Sequence, residues 1–243
     1  MKAFIQRVLQ KILGYESYLW YFTLYKLRTL KYDKHENDFF YFLSLIPNGS
    51  VTLDIGANLG LMSYHLAKQS KETYAFEPMP NNIKVLKRVK SKYNLSNLTL
   101  LTNALGNENK KIQLVLPEVD GVKKQGLSHV IDDKMEDFND GTIIETDCYR
   151  LDDVETLKGI NIAAIKIDVE NFEYEVFLGG LELIRTSKPT IYCELWDNRN
   201  RLDCFHLMRE NDYDVFVLEN NKLKQVTDNP SHIQNFFFLP KAS

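Results

Sequence analysis

From residue 51 onward, short β-branched or apolar runs alternate with longer amphipathic stretches. Residues 51–55 (Val-Thr-Leu-Asp-Ile) read as a strand and 61–68 as a helix. A second strand follows at 73–76. Pro80 then opens a helix that runs to about residue 93, with Ile83, Leu86 and Val89 on its apolar side. Residues 98–101 form a third strand. After an interval the alternation resumes, with strand 163–169, helix 172–185, strand 190–195, helix 201–210, strand 214–218 and a final strand 233–239. Strands separated by helices predict right-handed crossovers and a parallel sheet. The last two strands are joined by a short link, 219–232, which suits an antiparallel hairpin. The result is seven core strands, mostly parallel, with the last one antiparallel.

Two regions depart from this rhythm. Residues 105–160 read as an irregular insertion with extra strands at 112–116 and 142–149. The polar stretch between them contains Gly121, Gly126, Asp132, Asp133 and Asp137. Residues 1–46 form an N-terminal extension, separated from the remaining domain (47–243) by the turn residues Pro47, Asn48 and Gly49. No glycine or proline interrupts 16–42, so two or more helices are expected there. The extension is aromatic (Phe4, Tyr15, Tyr18, Trp20, Tyr21, Phe22, Tyr25) and carries seven basic residues against four acidic ones. Its helices either dock on the domain or on a second copy of the chain, or one of them lies on a membrane surface.

Composition narrows the class. The 243 residues are 44% hydrophobic and 26% charged, which suits one α/β domain with an attached segment. A net charge of −3 gives no reason to expect a nucleic-acid partner. The basic face of helix 80–93 (Lys84, Lys87, Arg88, Lys90, Lys92) lacks interleaved aromatics and reads as a solvated face. Cys148, Cys193 and Cys204 are odd in number and far apart, which implies buried reduced thiols and not a disulfide or zinc framework. Arg7 and Lys11 break the apolar residues of 4–13, which do not read as a secretory signal, and no apolar run reaches the ~20 residues that span a bilayer. The expected location is cytoplasmic, with peripheral membrane attachment left open.

The chemistry concentrates at the C-terminal ends of the strands. Leu53-Asp54-Ile55-Gly56-Ala57-Asn58-Leu59-Gly60 lies where the first strand passes into its helix, the position where such sheets bind ligands. Gly56 allows close approach of backbone, and Gly60 a tight entry to the helix. The spacing is G-x-x-x-G, which is neither the dinucleotide fingerprint nor a phosphate-binding Walker loop. Asp54 suits a cofactor that carries an ammonium and a sulfonium, with the helix N-terminus available for its carboxylate. Glu77, followed by Pro78, ends the second strand, where a carboxylate can accept both hydroxyls of a ribose. Asn103-Ala104 follows the third strand, where an amide can reach an adenine edge. In Ile165-Lys166-Ile167-Asp168-Val169-Glu170, strand alternation puts residues 166, 168 and 170 on one face. Asp168 and Glu170 then emerge together at the mouth of the cofactor cleft, or else form an ion-pair network with Lys166; in either case the Asp168 carboxylate faces the sulfonium and favours its binding.

These pieces together carry a resemblance. D-I-G-A-N-x-G (54–60), F-E-P (76–78), N-A-L-G-N (103–107) and I-K-I-D-V-E-x-x-E (165–173) resemble the FkbM family of methyltransferases over roughly 45–240. The resemblance implies a Rossmann-like class I methyltransferase fold, with S-adenosylmethionine as cofactor and S-adenosylhomocysteine as product. It also implies O-methylation of a sugar, glycan or natural-product hydroxyl. By position it assigns the methionine end to Asp54, Gly56, Ala57, Asn58 and Gly60, the ribose to Glu77 and Pro78, and the adenine side to Asn103 and Ala104. One departure is Asn171, where the family usually has glycine; Asn tolerates a positive φ better than most residues.

A hydroxyl acceptor also needs a base. Asp168, Glu170 and Glu194 are the candidates. His129 is a fourth, although a histidine in an insertion is expected to be exposed. Asp168 with Glu170 or Glu194 could hold a magnesium ion, but no metal is indicated. Two rival readings remain, a nicotinamide-dependent oxidoreductase, disfavoured by the missing G-x-G, and a non-catalytic nucleotide-binding scaffold.

Overall fold

A computed structural model of the chain describes residues 2–131 and 139–241. Three helices lead: α1 (Lys2–Leu13), α2 (Tyr15–Thr29) and α3 (Asn37–Leu45). Strand β1 (Val51–Ile55), helix α4 (Leu61–Gln69), strand β2 (Glu72–Phe76), helix α5 (Pro80–Lys92) and strand β3 (Leu98–Leu101) follow. A second, smaller sheet comes next, formed by β4 (Ala104–Leu105), β5 (Lys110–Val119), β6 (Val122–Lys123), β7 (His129–Val130) and β8 (Gly141–Tyr149). The main sheet resumes with β9 (Ala164–Ile167), and α6 (Glu173–Gly179) and α7 (Leu181–Ser187) lead to β10 (Thr190–Glu194). Helix α8 (Arg199–Glu210) and strands β11 (Tyr213–Glu219), β12 (Lys222–Gln225) and β13 (Asn235–Pro240) complete the chain.

The main sheet runs β12-β11-β13-β10-β9-β1-β2-β3. Neighbours from β10 to β3 pair in parallel, and β13 is antiparallel to both β10 and β11. The seven expected strands are present with the last antiparallel. An eighth, β12, pairs with β11 inside the link read as loop. β1 has β2 on one side and β9 on the other, so the connection reverses direction there and leaves a crevice above the ends of both. Register puts Asp54 of β1 directly beside Lys166 of β9.

Central strands such as β1 and β9 are buried along nearly their whole length, as parallel strands covered on both faces must be. One core layer joins Leu53, Ile165, Ile191, Phe177 and Phe236 beneath α6 and α8, and another joins Ala75, Leu86, Val89 and Leu98 beneath α5. The stretch expected as one helix over 172–185 is two. The break falls at Gly179-Gly180, where a Cβ on Gly179 would stand 1.9 Å from the Gly106 carbonyl oxygen. The two long strands of the small sheet extend beyond their sequence-based bounds, and Asp132, Asp133 and Asp137 lie outside the described residues.

The N-terminal helices dock unequally. Phe39 and Phe42 of α3 are fully buried against Tyr192 and Phe237 of the sheet. Tyr18 and Leu19 of α2 pack on Leu59 and Val85. The basic face of α5 is partly engaged here: Arg88 sits 4.1 Å over the Trp20 ring, and Lys84 pairs with Glu16 at 3.0 Å. The three cysteines are free and buried, and no helix among the described residues is long and apolar enough to cross a membrane.

Candidate active site

The β1–α4 loop is built on backbone conformations that few residues accept. Gly56 has φ 76°, and a Cβ there would lie 1.8 Å from the Asp168 carbonyl oxygen. Only glycine lets the ends of β1 and β9 approach this closely. Asn58 (φ 50°) and Gly60 (φ 79°) complete the turn, and Gly60 leads into α4 without a side-chain cap. The amides of Gly56 and Ala57 donate to the Phe76 carbonyl at 3.1 and 2.9 Å, which ties the loop to the end of β2.

Three charged groups hold the floor. Asp54 is fully buried, accepts a hydrogen bond from Ser63 and lies 3.4 Å from the Lys166 ammonium. Lys166 also donates to the Gly56 carbonyl at 2.8 Å and lies 3.5 Å from Asp168. Burial opposes its charge, yet Asp168 and Asp54 outweigh that and raise its pKa above the ordinary lysine value. Asp54 therefore sits beneath the loop and holds it through Lys166 and Ser63, away from the cavity walls. Lys166, a residue with no assigned role in the sequence reading beyond pairing, links both acidic positions to the glycine turn.

Glu77 is also buried and turned onto its own loop. One oxygen accepts from the Asn58 amide at 2.7 Å, the other from the Met79 amide at 2.8 Å and the Asn82 side chain at 3.3 Å. A carboxylate has about four acceptor positions, so about one remains. Burial pushes this carboxyl up to about 7, against the pull of the three donors and of Lys166.

Glu173 plays the matching part across the crevice. Wholly buried, it accepts from the amides of Val169 and Asn171 at 3.2 Å each and from Asn200 at 2.8 Å, with its pKa pushed up to about 8 by burial. This shapes a turn with φ 53° at Glu170 and φ 74° at Asn171, so Asn keeps the conformation that the family's glycine would supply. Strand β9 ends at Ile167, and the alternation expected through residue 170 stops there. Glu170 consequently shares no strand face with Asp168.

Two cavities open over this frame. A narrow one, about 80 Å³, is lined by Gly56, Asn58, Glu77, Pro78, Asn103, Ala104, Asp168 and Glu170, with the apolar Met79, Leu114, Val130 and Phe172. A wide cleft, about 710 Å³, is lined by Ala57, Asn58, Lys166, Asp168, Tyr192 and Glu194, and by Lys34, His35, Glu36 and Asp38 of the extension. Gly56, Asn58, Gln125 and Asp168 border both. The Asn58 side-chain oxygen is buried at this junction without a hydrogen-bond partner. Burial and the Asp168 charge push Glu170 and Glu194 above the usual carboxylate range, with Glu170 displaced further.

The matching family model is the methyltransferase FkbM domain, and it spans residues 54–220, more than half of the chain. This chain belongs to the FkbM methyltransferase family. Its main sheet is the Rossmann-like one common to class I methyltransferases. Among solved structures it is similar to the FkbM methyltransferase of Methylobacillus flagellatus KT, at 15% identity and a TM-score of 0.52, covering 78% of this chain and 43% of that one. The chain thus spans under half the length of that neighbour. A second is an rRNA methylase of Streptococcus thermophilus, at 12% identity and a TM-score of 0.50, covering 86% and 96%. At these identities the likeness is one of fold. No curated protein matches the chain in sequence.

Within this FkbM frame the structure brings Gly56, Asn58, Glu77, Pro78, Asn103, Ala104, Asp168 and Glu170 to one cavity, and leaves Asp54 and Gly60 behind it in supporting positions. The Asn103 side-chain nitrogen Nδ2 donates to the Ala104 carbonyl at 2.8 Å. Glu194 and Glu170 are on different cavities, which meet at Gly56, Asn58, Gln125 and Asp168. His129 is 2% exposed, contrary to the surface position expected of it: its ring nitrogens contact the Leu127 carbonyl and Asn139, and it lines the narrow cavity. Leu114 and Val130 of the small sheet, and Phe172 at the start of α6, were invisible as cavity walls in sequence, because tertiary folding alone brings them to the crevice.

Proposed function

We propose that the chain is an S-adenosylmethionine-dependent O-methyltransferase acting on a sugar, glycan or natural-product hydroxyl. The observation that carries this reading is the pair of cavities meeting at Gly56, Asn58 and Asp168. When bound, the cofactor supplies an electrophilic methyl group on a sulfonium. The residues present fit it. The orphaned Asn58 oxygen offers an acceptor to its ammonium, and the uncapped start of α4 offers amides to its carboxylate. Glu77 has room for one ribose hydroxyl, while Asn103 and the apolar Met79, Leu114 and Phe172 suit an adenine. Asp168, at the junction, places negative charge beside the cation.

The wide cleft has the volume typical of a small-molecule site and takes the acceptor. Glu194 lines that cleft, with a pKa raised by burial and by Asp168, which suits a general base working near neutral pH. We therefore place Glu194, in preference to Glu170, on the acceptor side. Calorimetric titration should show binding of S-adenosylhomocysteine and none of NADH; the reverse pattern overturns the cofactor assignment. Glu194→Gln should lower kcat about 10²–10⁴-fold with little change in S-adenosylhomocysteine affinity. Full activity in that variant, on an acceptor found by screening sugars and polyols, removes Glu194 from the role.

A further inference from the structure

Helix α1 is amphipathic, yet it is mounted with its polar side toward the protein. Gln10 pairs with Lys123 of β6 twice at 3.1 Å, through its amide nitrogen to the Lys123 carbonyl and through its amide oxygen from the Lys123 N–H. Gln6 accepts from the Lys124 ammonium at 3.2 Å, and Arg7 donates to the Asp120 carbonyl. These three anchors, spaced along one side of the helix, fix its rotation. The apolar residues Phe4, Ile5, Val8, Leu9, Ile12 and Leu13 follow the helical repeat on the other side, and all are exposed, Phe4 to 67% and Ile12 to 74%. A water-soluble surface helix buries this stripe; here the fold turns it outward.

Charge and aromatic placement say what covers it. Lys11 is exposed at the helix surface, and on the neighbouring α2 and the turn after it Arg28, Lys31 and Lys34 are exposed as well. Tyr21, Tyr25 and Tyr32 are exposed beside them, with the Lys31 ammonium 4.8 Å from the Tyr32 ring. The first 46 residues carry seven basic side chains against four acidic ones, in a chain whose net charge is −3. An apolar helical stripe, basic residues at its margin and tyrosines nearby are the three features of a helix lying in the headgroup region of an anionic bilayer.

We propose that α1 docks the protein on an anionic lipid surface, with Phe4, Val8 and Ile12 inserted among the acyl chains and the basic residues against the headgroups. Lys34, His35 and Phe22 line both the wide cleft and a groove that reaches Gln6, Tyr25 and Tyr32, so the cleft opens next to the docked segment. The lipid contact rests on α1, α2 and the turn after α2, and stands whether or not the acceptor assignment does.

Flotation of the full chain with vesicles of phosphatidylcholine containing 30% phosphatidylglycerol tests this, with Ile12→Glu and Phe4→Glu as variants of exposed positions. The parent protein should float with the anionic vesicles at least tenfold more than with pure phosphatidylcholine, and lose that preference in high salt. Each variant should float at least tenfold less while melting at the parental temperature. Sedimentation should give one mass for parent and variants. Absence of flotation at any anionic content overturns the proposal. So does a parental dimer that Ile12→Glu converts to monomer, since a second copy would then cover the stripe.

Discussion

Replacing Glu77 by glutamine should change how stability depends on pH more than it changes stability at any one pH. In the folded chain Glu77 is 5% exposed and its carboxyl is pushed up to about 7, against an ordinary value of 4.5. The folded state therefore holds the proton more tightly than the unfolded state. The stabilisation belonging to this group is complete below pH 4.5 and is lost as pH rises through 7. At about 1.36 kcal/mol per pH unit, the gap between the two values corresponds to about 3 kcal/mol. Glutamine does not titrate, so the variant lacks that loss. It does have a constant deficit of about 1–3 kcal/mol, because its amide nitrogen cannot accept from the Asn58 or the Met79 N–H. Urea unfolding followed by tryptophan fluorescence, from pH 4.5 to 8.5, measures both quantities. The parent should be ahead at acid pH, and the difference should shift against it by about 3 kcal/mol by pH 8.5, which cancels or reverses that lead. Glu173 titrates in both proteins and cancels. A stability difference that stays constant over this range would refute the reasoning, since Glu77 would then be ionised throughout in the folded chain.

Three further outcomes follow from the same geometry. Gly56→Ala forces a Cβ into the Asp168 carbonyl at a φ of 76°, and should cost about 1–3 kcal/mol in a thermal melt and abolish S-adenosylhomocysteine binding by calorimetry. Lys166→Met leaves Asp54 fully buried without its cation, and should cost about 3–5 kcal/mol by urea unfolding; an unchanged midpoint would show that the pair does not hold the loop. Phe42→Ala removes a wholly buried ring from the contact between α3 and Tyr192, and should cost about 3–5 kcal/mol by the same measurement, whereas a loss under 1 kcal/mol would mean that α3 is not part of the core.

Much of the fold and part of the site were legible from the chain alone. Alternating strand and helix patterns determined a parallel sheet, because a strand buried on both faces must be apolar throughout and its crossover helix amphipathic. The residues that end β1, β2, β3 and β9 marked the crevice for the same reason: polar groups interrupt an apolar run where the chain leaves the sheet. What each of those groups does was decided by tertiary structure. Asp54 and Glu77 are equally acidic in sequence, yet register sets Asp54 beside Lys166 beneath the loop, while Glu77 folds onto the amides of Asn58 and Met79. The left-handed turn at Glu170 and Asn171 ends the strand alternation and separates Glu170 from Glu194. The same limit applies to α1. Helical spacing in sequence reveals an apolar stripe, but only the anchors from Gln6, Arg7 and Gln10 to the small sheet show that the stripe faces outward, because periodicity defines two faces of a helix and packing alone chooses which one is covered.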